Sequence, residues 1–170
     1  MFSALFEAPL HPKIVHLPLG IAMVLPLVFL VLTIAVDRQW LPPRAWWLGV
    51  GLAALTSVGA FAAAQLGDAD AERVEKVLDK RFIDEHDTAA GQFQFALGVT
   101  LAIAVLGGIV RDPGARRAAH ATTAALSIAA LGLAIRTGHL GGNLVYKHGA
   151  GAAFGAPTSA GIRTSPHHVD

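Results

Sequence analysis

The chain has 170 residues, of which 54% are apolar and only 15% charged, with a formal net charge of +1. Soluble domains carry about 25% charged residues, so a soluble fold is excluded, and the near-neutral charge leaves no electrostatic footprint for nucleic acid. There is no cysteine, which removes disulfides, thiolate metal sites, cysteine-ligated iron–sulfur clusters and the covalent c-type haem attachment.

Four stretches are nearly free of formal charge: Leu17–Val36, Ala45–Leu66, Thr88–Val110 and Ala118–Ile135. Each has roughly the 17–25 residues that cross about 30 Å of hydrocarbon as a helix, and only helices and closed barrels satisfy their backbone in lipid. The sequence therefore predicts an all-α integral membrane protein, an antiparallel four-helix bundle formed by residues 1–154. A disordered C-terminal tail is expected over 155–170, where small and polar residues are broken by proline.

The first stretch follows a long, weakly basic segment and no small-x-small cleavage site closes it, so it does not read as a cleaved signal peptide. Pro18 and Pro26 fall inside it and predict a bent or late-starting helix. Four crossings put both termini on one side, here side A, together with the 67–87 connection. Within that connection Val74, Val77, Leu78 and Phe82 recur at helical spacing among charges. This pattern predicts an amphipathic helix lying on the bilayer surface between spans two and three; a solvated charged linker is the plainer alternative. Side B holds two short loops carrying Arg38, Arg44, Arg111, Arg116 and Arg117. By the positive-inside rule side B is cytoplasmic, which places both termini outside.

The chain has eight histidines. His167 and His168 lie in the tail, and His120 lies near side B, where packing against Thr122 or Thr123 is expected. The remaining five, His11, His16, His86, His139 and His148, all map to side A. Gln65, Gln92 and Gln94 lie towards the same end. Polar groups at membrane depth are costly and face a protein interior, a cavity or a ligand, so an imidazole-rich pocket capping the bundle at side A is expected. Each histidine has a plainer reading as an interfacial polar residue, but scattered interfacial histidines would populate both sides.

Neutral imidazoles without thiolates suit bis-histidine haem b, which needs two axial nitrogens from facing elements and an apolar slot. Spans one and three can be diagonal partners, with His16 and His86 as the axial pair. Gly91 and Gly98, seven apart in span three, form a stripe that admits a flat ring; close helix packing is the commoner use of such glycines. His11, His16, His86 and His148 can equally serve a bound copper, zinc or iron ion, although no compact ligand motif supports one. Tyr146 reads as an interfacial anchor or as a hydrogen-bond donor to a haem propionate. In "GHLGGNLVYKHG" (138–149) the glycines are expected to let the backbone leave span four sharply and return His148 over the pocket.

"HPKIVHLPLG" at 11–20, the isolated His86 and "GNLVYKHGAG" at 142–151 resemble a bacterial family of four-span predicted membrane proteins of unknown function. Its pattern is HP-x-x-VH-[FL]-P, a histidine at span three, then GG-x-LVY-x-HG, and the resemblance extends to about Phe154. It points to His11, His16, His86 and His148, with Gly141, Gly142 and Tyr146 shaping the last segment, and gives His139 no fixed role. Fusion of some members to c-type cytochrome or Rieske-type domains implies an electron-transfer setting in the inner membrane, with the histidine side periplasmic. Four motif histidines would suffice for two haems, or for one haem and a second site. The expectation is thus a haem b electron-transfer protein, an oxidoreductase component between quinol and a periplasmic acceptor. The alternatives are a metal-binding membrane protein and a cofactor-free structural subunit. The centres of all four spans are aliphatic, which disfavours a transmembrane ion path.

Overall fold

The computed structural model describes residues 11–154, and the expected tail lies outside them. Four long helices follow one another: α1 (His11–Asp37), α2 (Trp46–Val74), α3 (Lys80–Ile109) and α4 (Pro113–Tyr146). Short 3-10 turns at Pro43–Ala45 and Ala150–Phe154 complete the described chain, which contains no strand. All four helices are long and apolar enough to cross a membrane. α1 packs on α2 and α4, and α3 packs on the same two, so α1–α3 and α2–α4 are the diagonals of the bundle.

The packing repeats in steps of three and four residues. In α1 the inward residues include Pro18, Ala22, Leu25, Phe29, Leu32 and Val36; in α4 they are His120, Thr123, Ser127, Ala130, Ala134 and Thr137. That alternation is the heptad pattern of gently supercoiled antiparallel helices. Leu25, Phe29, Trp46, Phe93 and Leu97 fill the centre. The buried hydroxyls do not interrupt it. Thr56, Thr100, Thr123 and Thr137 each donate to the carbonyl four residues earlier, at 2.7–2.9 Å, and Ser127 donates to Ala124 at 2.7 Å.

Two expectations about helix ends are corrected. No separate amphipathic helix joins spans two and three: α2 continues to Val74, the chain turns over 75–79, and α3 starts at Lys80. Charges do not end a helix once it reaches the headgroup zone, where water solvates them. The break comes where Asp79 adopts an extended backbone and its side chain accepts the Arg81 N–H, an N-cap that opens a new helix. Likewise α1 is not delayed by its prolines but runs from His11 through both, and Pro18 is buried within it against Gly59.

Side B is closed by one aromatic stack. The His120 ring lies on Trp46 with centroids 3.6 Å apart and planes 14° apart. His120 Nε2 reaches the Gly107 carbonyl at 3.2 Å, and Trp46 Nε1 donates to the Ala104 carbonyl at 2.7 Å. His120 therefore packs on Trp46 and α3.

Candidate functional site

Because the helices outrun the hydrocarbon at side A, their inward stripes continue as the walls of a cavity. Stepping back along α1 from Pro18 by three and four gives Val15 and His11. Stepping forward along α2 from Ala63 gives Gly67, Asp70 and Val74. On α3 the residues before Phe93 on the stripe include His86 and Ile83, and on α4 Thr137 is followed by Gly141. All of these line one cavity of about 540 Å³, whose walls also include Leu19 and Phe154. From Ile109 back to His86 is about 35 Å of helix at 1.5 Å per residue, against about 30 Å of hydrocarbon. By helix length His86 thus stands at headgroup depth.

Two imidazoles face each other in it. The His11 and His86 rings have centroids 6.1 Å apart and are nearly perpendicular, at 89°. His11 is held twice by α2: its ring Nδ1 reaches the Ala63 carbonyl at 2.6 Å, and its backbone N–H donates to the Asp70 carboxylate at 3.3 Å. With Nδ1–H spent on a carbonyl, Nε2 keeps its lone pair, the arrangement that orients ligating histidines. His86 lies against Gly141, where a Cβ would come within 3.2 Å of its ring. Its Nδ1 is buried with no hydrogen-bond partner, an uncommon state for a buried polar atom.

The other expected residues are placed differently. His16 lines the cavity at its mouth, exposed, with Nδ1 on the Pro12 carbonyl of its own helix at 2.5 Å. It does not face His86; the facing pair is His11 and His86. Five residues separate His11 from His16, or about 140° around a helix, so the two cannot point the same way. Tyr146 also lines the mouth and is 90% exposed. His148 lies at the same end but stacks on Phe82, centroids 3.8 Å apart, away from the cavity wall. His139 is exposed and lines no part of the cavity. Gly91 and Gly98 are exposed on the outside of α3 with open space beyond them, so they admit nothing between the helices. Gln92 accepts from Arg136 at 2.8 Å on that outer surface, and Gln65 is exposed.

The glycine-rich stretch also behaves differently from expectation. α4 passes straight through Gly138, Gly141 and Gly142 and ends only at Tyr146. The reversal comes later, at Gly149, whose φ of +77° suits glycine alone at little cost. The three helical glycines instead thin the α4 wall of the cavity. The sequence reading missed Asp70, Gly67, Thr137 and the Phe154 strap, all of which line the cavity; for the first three, extending the inward stripe past the apolar run would have found them.

Among the described residues, no group of three or more His, Cys, Asp or Glu side chains is gathered closely enough to hold a metal ion. In comparison with known proteins, a family model described as predicted membrane protein (DUF2231) matches residues 7–153. No curated protein and no solved structure matches the chain.

Proposed function

The chain belongs to the DUF2231 family of predicted membrane proteins, and from that premise we propose that its side-A cavity binds haem b between His11 and His86. On this reading it is an electron-transfer protein of the inner membrane. The observation that carries the proposal is the facing pair of imidazoles, one pinned through Nδ1 and the other with a buried, unpartnered nitrogen. Imidazole–metal bonds of about 2 Å put two rings that share one metal at centroids roughly 6 Å apart, and these lie at 6.1 Å. The number of ligands favours haem over a bare cation. Zinc sites recruit three or four protein ligands, whereas a haem brings its own equatorial nitrogens and asks the protein for two.

The bound iron would supply one-electron chemistry; the protein supplies position and exclusion of water. The Ala63 carbonyl and the Asp70 carboxylate fix His11, and Gly141 lets His86 stand close to α4. Val74, Ile83, Leu19 and Phe154 make the walls apolar. The Tyr146 hydroxyl at the mouth is placed to donate to a propionate. The five arginines of the side-B loops and the first turn of α4 support a cytoplasmic side B, leaving the cavity on the periplasmic side. There a quinol is the proposed donor, and a c-type cytochrome or Rieske protein the proposed acceptor.

The test is a visible spectrum of purified protein from haem-replete membranes, oxidised and then reduced with dithionite. A Soret band and a sharp reduced α-band are expected. Their absence would overturn the proposal; stoichiometric copper or zinc would promote the metal reading, and an empty protein the structural subunit.

A further inference from the structure

We propose a second site on the outer α3–α4 surface that seats a phospholipid with a primary-ammonium, zwitterionic headgroup. A groove of about 410 Å³ lies there, lined by Lys80, Arg81, Asp84, Glu85, Thr88 and Arg136. Arg136 stands about 35 Å along α4 from Pro113, at the edge of about 30 Å of hydrocarbon. It is exposed, and it donates a hydrogen bond to a neutral amide oxygen, Gln92 Oε1, at 2.8 Å. A guanidinium at that depth needs an anion, and its remaining N–H groups match a phosphate in geometry and charge.

Asp84 and Glu85 lie two turns further out on α3, exposed, and neither takes part in an ion pair among the described residues. Cation below and carboxylates above reproduce the order of a phosphoethanolamine group, whose phosphate lies deeper than its amine. Lys80 and Arg81 line the groove as well, so it presents both signs and a zwitterion answers both, whereas a phosphatidylglycerol headgroup brings no cation for the carboxylates. A choline headgroup has no N–H to give them.

The surface below the groove suits an acyl chain. Asp84, Thr88, Gly91, Phe95 and Gly98 follow one another at three- and four-residue steps and so share one face of α3. Phe95 is 75% exposed, and neither flanking glycine has anything within 4 Å of an added Cβ. The two glycines therefore leave open space on either side of a projecting ring, below Asp84 and Thr88 on the same face.

The experiment is native mass spectrometry of the whole protein released from nanodiscs containing equal phosphatidylethanolamine, phosphatidylcholine and phosphatidylglycerol. Phosphatidylethanolamine should be retained in excess. Arg136→Gln should lower its retention about tenfold, the worth of one charge-assisted hydrogen-bond pair, while Arg136→Lys keeps part of it. Asp84→Asn with Glu85→Gln should erase the preference over phosphatidylcholine without abolishing binding. Unfolding temperatures of all variants check that the bundle is intact. Equal retention of the three lipids, preference for phosphatidylglycerol, or an Arg136→Gln variant that binds as the wild type would overturn the proposal. Competition by free phosphoethanolamine as strong as by the lipid would also overturn it, showing a small-molecule site.

Discussion

Gly67→Ala tests the cavity without replacing either imidazole. A Cβ at Gly67 would lie 3.0 Å from His11 Nδ1 and 3.3 Å from its Cε1, so the ring must recede by about 0.4 Å to reach the 3.4 Å of ordinary contact. It has room to do so: the hydrogen bond to Ala63 lengthens from 2.6 Å to about 3.0 Å and survives. Overpacking costs typically about 1–3 kcal/mol, and a ring at the first turn of α1 sits at the low end. Replacing a helical glycine by alanine returns about 1 kcal/mol. The two nearly cancel, so the unfolding temperature of the ligand-free protein in detergent should stay within a few degrees of wild type. Ligand binding should be affected more than the fold, because this shift uses up most of the roughly 0.5 Å within which ligating groups must be held. A haemin titration followed at the Soret band should show roughly tenfold weaker binding, or about 1.4 kcal/mol. Wild-type affinity in this variant would refute the idea that the α2 wall positions His11. Destabilisation beyond about 3 kcal/mol would refute the claim that the ring can yield.

His11→Ala and His86→Ala should each abolish the reduced α-band, His16→Ala should weaken it by loosening the mouth, and His139→Ala should leave it unchanged; difference spectra at matched protein concentration decide. His120→Ala should keep the band but lower stability by about 2–4 kcal/mol, since it removes a buried stack and a hydrogen bond and leaves a hole. Gly107→Ala should act similarly, because its Cβ would come within 2.8 Å of a His120 ring already held by Trp46; thermal unfolding in detergent reads both. A reporter fused after Asp170 should behave as periplasmic, and cytoplasmic activity would reverse the orientation while leaving the cavity unchanged.

The four crossings were legible from composition alone, because the hydrocarbon tolerates so few charges. Their ends were not. A window of hydropathy stops at Leu66, where charge begins, while α2 runs on to Val74 because headgroup water solvates Asp68 and Glu72. The clustering of histidines at side A was legible for the same reason as the spans. Choosing His16 over His11 followed depth in the apolar run, but the heptad phase decides: Pro18, Ala22 and Leu25 extrapolate back to His11. The same phase puts His86 and Gly141 inward and leaves His139, Gly91 and Gly98 outside. His148 eluded pattern reading because its place depends on the turn that closes α4 onto the Asn143 carbonyl and on a stack with Phe82, which no periodicity encodes.

The Trp46–His120 stack and the self-satisfied threonines have an electrical consequence. Moving one elementary charge fully across a membrane at 100 mV is worth about 2.3 kcal/mol, and that voltage falls almost wholly over the hydrocarbon. By helix length the His11–His86 pair lies outside that drop, and beneath it the described core is filled by apolar side chains and by hydroxyls bonded to their own helices. On the proposed haem reading, electrons and protons would enter and leave at side A and so do no work against the field. Oxidation and reduction of the protein should then be indifferent to membrane voltage.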